Sequence, residues 1–146
     1  MKLSENQHYI NHVILKVKGD FSGALREMML CMQEAEQRSD LVPSRHSFFM
    51  QLLGEVKYLN HEIDAAFELY ERSLETDKDS LFPELGYAKF LTHLCQDYKK
   101  ALIKCDFIID SVKSGSYEPE EDDMPIAYYL DESEELRRIC IAGLTK

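Results

Sequence analysis

A short motif occurs three times in this chain and indicates how its segments pack together. Each copy has an acidic residue, a large apolar residue, two spacer residues, an alanine and a second apolar residue. The small alanine lets one helix approach another closely, and the large residue fills the wedge at the turn, which predicts antiparallel helix pairs. The copies are Gly19-Asp20-Phe21-Ser22-Gly23-Ala24-Leu25, His61-Glu62-Ile63-Asp64-Ala65-Ala66-Phe67 and Gln96-Asp97-Tyr98-Lys99-Lys100-Ala101-Leu102.

The spacing of apolar residues indicates that the chain is helical throughout. After each motif, large side chains recur at intervals of four residues, for example Met28 and Met32, or Tyr70 and Leu74. The sequence has only six glycines and four prolines, and no alternating run of β-branched residues bounded by turn residues. The predicted fold class is therefore all-α, in which each short helix needs a neighbour to bury its apolar face.

The second copy of the motif extends into both flanking segments. Its Leu53-Gly54 pair precedes Ala66 by twelve residues, and the three motif alanines are separated by 42 and 35 residues. Helix-pair repeats of the tetratricopeptide type have a period of about 34 residues. Over residues 5–114 the chain resembles the tetratricopeptide repeat (TPR) family. The resemblance implies a right-handed α-solenoid of about three antiparallel helix pairs, whose first helices line a concave groove for a peptide or partner helix.

The length of the chain suits one domain. With 146 residues, 45% of them hydrophobic, it can bury one core but does not divide comfortably into two. A capping pattern from Asp131 to Glu134 leaves open whether the C-terminal segment is one helix or two. That segment is predicted to cap the last repeat. The predicted divisions are repeats at 5–38, 47–80 and 81–114, an acidic loop at 115–124 and the capping helix or helices at 125–144.

Acidity restricts the class of partner. Lys and Arg number 17 against 27 Asp and Glu, which gives a net charge of −10, and more than half of the excess follows residue 114. Nucleic acid and anionic membranes would be repelled, so a neutral to basic protein or peptide is expected instead. The loop carboxylates are predicted to steer a cationic partner, with a merely solvated loop as the alternative. They are Glu118, Glu120, Glu121, Asp122 and Asp123.

Two further features bear on the cellular compartment. The first six residues lack the apolar core of a signal peptide, and no run approaches the roughly 18 apolar residues of a membrane span. A cytoplasmic location is therefore expected. The four cysteines lie far apart within apolar stretches and form no CxxC pair, so they are predicted to be buried and reduced. They are Cys31, Cys95, Cys105 and Cys140.

The resemblance also implies which side chains line the groove, because the first helix of each pair faces it. In the third copy the alignment is open, since one extra residue would place Ala88 instead of Lys89 at the family's small-residue position. Lys89 and Thr92 would then line the groove in place of Phe90 and His93. The first two copies and the unshifted third copy contribute Asn6, Tyr9, Val13, Lys16, Phe48, Gln51, Glu55, Tyr58, Phe90 and His93.

Five of these side chains bear on what the groove would hold. The aromatic residues Tyr9, Phe48 and Tyr58 are the expected anchors for a partner, and core packing is an equally weighted alternative for them. Some members of the family grip a terminal carboxylate with lysine and asparagine pairs. Gln51 and Glu55 stand at the corresponding positions of the second copy. The groove is therefore expected to favour a neutral or basic segment.

Two histidines on the first helix could indicate a metal site. His8 and His12 are four residues apart and Glu5 precedes them by about one turn, so three metal-capable side chains could share a face. In the repeat alignment both histidines fall at helix-packing positions, which is the preferred interpretation. The sequence has no glycine-rich phosphate loop, nucleophile elbow or CxxC motif. No catalysis, cofactor or metal is therefore predicted.

Three functions remain in view at the level of the sequence. The preferred one is a non-catalytic interaction module that binds a peptide, helix or protein surface in the TPR groove. An alternative is an acidic immunity or antitoxin-type inhibitor of a basic enzyme such as a nuclease. A third is a metal-dependent enzyme that uses His8 and His12. A homodimer is left open, because Tyr128 and Tyr129 or an uncovered end could pair with a second copy.

Overall fold

The computed structural model describes residues 2–146 as a purely helical protein, and Met1 lies outside the described residues. Within that part of the chain there are seven α-helices, a short 3-10 helix at Leu3–Glu5, a π-helical turn at Leu91–Cys95 and no strand. The prediction of an all-α fold is confirmed. The α-helices are α1 (Gln7–Val17), α2 (Phe21–Gln37), α3 (Pro43–Leu59), α4 (Ile63–Thr76), α5 (Phe82–Phe90), α6 (Tyr98–Lys113) and α7 (Ile126–Leu144).

The helices form two compact units, the first ending at Asp77 and the second running from Lys78 to Lys146. The sequence predicted a single domain, whereas each unit has its own buried apolar cluster. Helices bury their apolar faces against helices that are close in sequence, so the buried side chains also group by sequence neighbourhood.

In the first unit, α2 packs against both α1 and α3, and α4 packs against α3. Its buried cluster includes Met28, Cys31, Phe49 and Leu53. The motif alanines Ala24 and Ala66 are fully buried in this unit, and Ala101 is fully buried in the second. Full burial of a small side chain is what close helix contact requires, because any larger residue would separate the backbones.

The capping of the helices explains the acid in two of the three motif copies. The Asp20 carboxylate accepts a hydrogen bond from the Gly23 N–H at 3.0 Å, and the Asp97 carboxylate accepts one from the Lys100 N–H at 3.2 Å. Each satisfies a backbone donor that has no partner within its helix. In the second copy Glu62 precedes α4 and makes no such side-chain cap.

In the second unit, α6 packs against both α5 and α7. Helix α7 is continuous, so the capping pattern from Asp131 to Glu134 does not divide it. Within this helix the Ser133 hydroxyl is buried and donates to the Tyr129 carbonyl at 2.6 Å. The buried cluster of this unit consists of Leu81, Leu85, Ala88, Cys105, Ile108, Tyr129 and Leu136.

A π-helical turn follows α5 and bears on the alignment of the third copy. A π turn accommodates one residue more than the α-helix it interrupts, and this one ends at Gln96, which has a φ of 53°. Ala88 is fully buried, whereas Lys89 is partly exposed. These observations fit the alignment in which one residue is inserted and Ala88 occupies the small-residue position.

Candidate functional site

The centre of the predicted groove in the first unit is an ion pair between α1 and α3. The Lys16 Nζ atom lies 2.5 Å from Glu55 Oε1, and both side chains are partly exposed. With Glu55 in the groove, the sequence predicts a preference for a neutral or basic segment. Lys16 instead neutralises Glu55 locally, because an ion pair at this distance leaves little net field for a third charge. The groove centre therefore has no excess negative charge to select a basic segment.

Gln51, predicted as a groove residue, is buried between α3 and α4. Its side-chain amide donates to the Ser73 hydroxyl at 3.0 Å, and the Ser73 hydroxyl donates to the Tyr70 carbonyl at 2.6 Å. The Ser47 hydroxyl completes the network by donating to the Ser73 carbonyl at 2.8 Å. Buried polar groups that satisfy one another in this way hold two helices together rather than meeting a ligand.

The aromatic residues of the predicted groove are partly buried. Tyr9 and Phe48 both pack against the buried cluster of the first unit, and each keeps part of its surface exposed. Tyr58 and Val13 are also partly exposed. Asn6 is buried and caps α1 by accepting a hydrogen bond from the Tyr9 N–H at 3.0 Å. Core packing and partial exposure thus coexist at Tyr9 and Phe48.

The predicted groove residues of the third copy lie in the second unit. Phe90 is buried, and its ring centroid is 6.4 Å from that of Tyr87, whereas His93 is exposed in the π turn. Of the alternative pair, Thr92 is buried and donates to the Ala88 carbonyl at 2.8 Å. Lys89 is partly exposed with its Nζ atom 5.6 Å from the centroid of the Tyr128 ring. Each pair, Phe90 with His93 and Lys89 with Thr92, therefore includes one buried side chain.

The two histidines of α1 take part in different contacts. The His8 ring lies between two carboxylates of α2, with Nδ1 2.5 Å from Glu27 Oε2 and Nε2 3.5 Å from Glu34 Oε1. His12 instead bonds to the Tyr9 carbonyl through Nδ1 at 2.7 Å. Within residues 2–146 no group of three or more His, Cys, Asp or Glu side chains is placed to hold a metal ion.

His12 is fully buried and is held in one neutral tautomer. Its Nδ1 must carry the proton, because the Tyr9 carbonyl can only accept. Its Nε2 atom is buried and has no hydrogen-bond partner among the described residues. Burial lowers the pKa of His12 below its usual value, since a charged imidazolium would lose its hydration and place a second N–H where nothing accepts it.

We expect the free energy of unfolding to decrease as the pH falls below about 6.5, the ordinary pKa of histidine in an unfolded chain. The unfolded chain then binds a proton that folded His12 does not, so the stability present above that pH is lost towards the lower folded-state pKa. Urea unfolding at several pH values should give a flatter profile for His12→Phe than for the wild type. His61→Asn, at an exposed position, is the control and should keep the wild-type slope. Equal slopes for His12→Phe and the wild type would contradict the assignment.

The carboxylates of the acidic loop have two kinds of surroundings. Glu118, Glu120, Glu121 and Asp122 are exposed. Asp123 is different, since one of its oxygens accepts from the Tyr117 hydroxyl and the other accepts from the buried Tyr129. Asp123 is therefore not a steering residue as predicted from the sequence, because its carboxylate is bonded to these two tyrosines.

Both tyrosines bound to Asp123 hold their protons tightly. Burial, followed by the hydrogen bond to Asp123, raises the pKa of Tyr117 and of Tyr129 above the ordinary value. The two rings also meet edge to face, with centroids 5.7 Å apart. The aromatic residues on either side of Asp123, each six positions away, were the sequence signal for this arrangement.

A cleft in the second unit was missed by the sequence analysis. It has a volume of about 140 Å³ and is lined by residues of the 78–84 segment, α6 and the start of the acidic loop, including Leu81, Phe107 and Tyr117. Phe107 is 52% exposed, and Ile103, one turn earlier on α6, is 70% exposed. Their signal in the sequence was an apolar pair four residues apart, outside the stripe that contains Ala101 and Cys105.

The cysteines are all free thiols. Cys31, Cys105 and Cys140 are buried, and Cys95 is partly buried. Burial raises the pKa of Cys31, and it raises the pKa of Cys105 to about 12. Because only a thiolate attacks or binds metal readily, these two buried thiols are poor nucleophiles at neutral pH.

No protein family, curated protein or solved structure matches this chain. None of the described helices combines the length and the apolar character needed to cross a membrane.

Proposed function

We propose that this protein is a non-catalytic interaction module of tetratricopeptide type that binds a peptide, helix or protein surface. The binding face would be formed by α1 and α3, the first helices of two successive pairs. The observation that carries the proposal is the row of partly exposed side chains on these helices, with the ion pair of Lys16 and Glu55 joining them. Tyr9, Phe48 and Tyr58 supply the aromatic surface that dominates many protein interfaces.

The packing order of the helices supports a repeat architecture. In the first unit each helix contacts its neighbours in sequence, and Ala24 and Ala66 sit at the close contacts. The π turn accounts for the extra residue in the third copy. We propose a right-handed α-solenoid of three helix pairs, two of them in the first unit, with α7 capping the third. A cytoplasmic location belongs to the same proposal, as does the possibility of a homodimer.

The proposed mechanism rests on preorganisation. Tyr9 and Phe48 are held against the buried cluster on one side, so their exposed edges lose little conformational freedom when a partner binds. The partner would therefore bear most of the ordering cost. Since Lys16 compensates Glu55, this face suits an uncharged segment with apolar side chains.

The groove proposal predicts that truncating Tyr58 weakens partner binding. Affinity capture from a lysate of the source cells, at low and at high salt, would identify a partner for which a Kd can then be measured. Tyr58→Ala should raise that Kd at least about tenfold, the cost of losing one aromatic anchor. Glu68→Ala, on the exposed side of α4, is the matched control and should bind as the wild type does. A partner bound equally by both variants would exclude this face.

A second candidate function is inhibition of a basic enzyme, such as a nuclease, by an immunity or antitoxin-type protein. The observation that favours it is the run of exposed carboxylates at Glu118, Glu120, Glu121 and Asp122. Such an inhibitor would cover the cationic cleft of its enzyme and associate rapidly at low salt. Inhibition of an enzyme encoded beside this protein, weakening steeply as salt rises, would distinguish it from a groove-binding module.

A further inference from the structure

Helix α6 carries an apolar surface on the side turned away from the core of the second unit. Ala101, Cys105 and Ile108 are fully buried on its inner side. Ile103 and Phe107, at 70% and 52% exposure, are one turn apart on the outer side. Large apolar side chains that stay exposed next to one another are typical of a surface that another molecule covers.

The cleft beside Phe107 has the size to take one apolar side chain, and Leu81, Phe107 and Tyr117 form the apolar part of a lining that is otherwise polar. Its volume of about 140 Å³ is close to that of protein cavities that accept a benzene-sized group, which are about 150 Å³. The buried Leu81 and the Tyr117 ring line the cleft together with Phe107. A leucine or aromatic side chain placed there would therefore contact the apolar surface of Leu81, Phe107 and Tyr117.

Three polar side chains of the cleft are engaged within the protein, namely Ser111, Ser116 and Glu84. The Ser111 hydroxyl donates to the Phe107 carbonyl at 2.8 Å, and the Ser116 hydroxyl donates to the Ser111 carbonyl at 3.2 Å. Glu84 pairs with Lys104 at 3.2 Å. An inserted apolar side chain would therefore contact the part of the cleft formed by Leu81, Phe107 and Tyr117.

The charges next to the cleft specify what would flank that apolar side chain. Glu118 follows Tyr117 directly, and it is the first of four exposed carboxylates in the segment Glu118–Asp122. Within the described part of the chain their side chains make no hydrogen bond or ion pair. Lys78 and Asp79, both exposed, line the cleft and offset each other. The excess charge beside the cleft is therefore negative, and it favours basic groups on a partner.

We propose that the cleft lined by Leu81, Phe107 and Tyr117 docks a basic segment of a partner protein, with an apolar or aromatic side chain inserted beside Phe107 and Lys or Arg facing Glu118–Asp122. This surface lies in the second unit and is independent of the α1 and α3 face. A second copy of this chain does not fit, because each copy has a net charge of −10 and would bring its own acidic loop to the contact.

Selection from a display library of random twelve-residue peptides on the immobilised full chain tests this proposal. The peptides that bind should be rich in Lys or Arg around one apolar or aromatic residue. Phe107→Ser should weaken them at least tenfold, and Phe107→Leu should restore most of the affinity. Ile141→Ser is the matched control, because Ile141 is an exposed apolar residue on α7, and it should leave the affinity unchanged.

The role of the loop is tested by replacing Glu118, Glu120 and Glu121 with Gln and Asp122 with Asn. The combined variant should bind the same peptides more weakly and lose most of their salt dependence. Tyr58→Ala should leave these peptides bound. The proposal for the α1 and α3 face can therefore fail without affecting this one.

Four results would overturn the proposal. They are a library that yields no binder, binders without basic residues, binders indifferent to Phe107→Ser, and a concentration-dependent dimer that Phe107→Ser dissociates. The last would assign the surface to a second copy of the chain, and sedimentation of the wild type and the variant detects it. Circular dichroism of each variant confirms that it is folded before its affinity is compared.

Discussion

Replacing Gly54 with leucine is expected to lower the free energy of unfolding by about 3 kcal/mol, at the upper end of the range for overpacked cores. Gly54 lies in α3, where a Cβ atom would come within 2.8 Å of the Tyr70 ring and 3.2 Å of the Ala66 carbonyl oxygen of α4. Tyr70 is buried in a close-packed region, so moving its ring aside would disturb its neighbours. Urea unfolding followed by circular dichroism measures the loss.

The effect should depend on the Tyr70 ring in particular. In the background Tyr70→Ala, the same change at Gly54 should cost clearly less than in the wild type, because the ring that it meets is gone. Glu68→Leu, on the exposed side of α4, adds the same side chain where there is space and should change stability by less than about 0.5 kcal/mol. If Gly54→Leu lowered stability no more than Glu68→Leu, the close contact of α3 with α4 at Gly54 would be contradicted.

Replacing Asp123 with alanine is expected to cost about 3 kcal/mol of stability, since two hydrogen bonds to a charged acceptor are lost. The Tyr117 hydroxyl and the Tyr129 hydroxyl both donate to this carboxylate, and Tyr129 is fully buried. Removing the acceptor leaves a buried donor without a partner. The same change should lower the pKa of Tyr117 towards its ordinary value, which a spectrophotometric titration of tyrosinate would detect.

The neighbouring residue provides the control for this prediction. Asp122 carries the same charge, is exposed and bonds to no tyrosine, so Asp122→Ala should change the unfolding free energy by less than about 0.5 kcal/mol. Asp123→Ala combined with Tyr129→Phe should lose less than the sum of the two single changes, because the donor and the acceptor are then removed together. Additive losses would show that Asp123 acts through something other than Tyr129.

Much of the fold could be predicted because it follows from local spacing. The apolar periodicity indicated helices throughout, and the motif placed Ala24, Ala66 and Ala101 at positions that are fully buried. The open alignment of the third copy could not be decided, because a π turn is a departure from the spacing on which the alignment depends. Spacing also left open whether Asp131 begins a new helix, and the structure has Asp131 inside the continuous helix α7.

The candidate sites were less predictable than the fold. Gln51 was expected to meet a partner but is bonded to Ser73, which lies 22 residues further along the chain. Asp123 was expected to steer a partner but is held by two tyrosines. Position on a helix face indicates the direction of a side chain, whereas its partner depends on which helix crosses that face and at what depth.

The sequence by itself determined the helical class, the close-contact alanines and the uneven distribution of acidic charge, because each depends on residue type and local spacing. Only the tertiary structure decided which charges remain uncompensated. Lys16 neutralises Glu55 from 39 residues away, while the carboxylates from Glu118 to Asp122 stay exposed beside the cleft at Phe107. Electrostatic and apolar contacts act over a few ångströms in space, and sequence separation does not specify that distance.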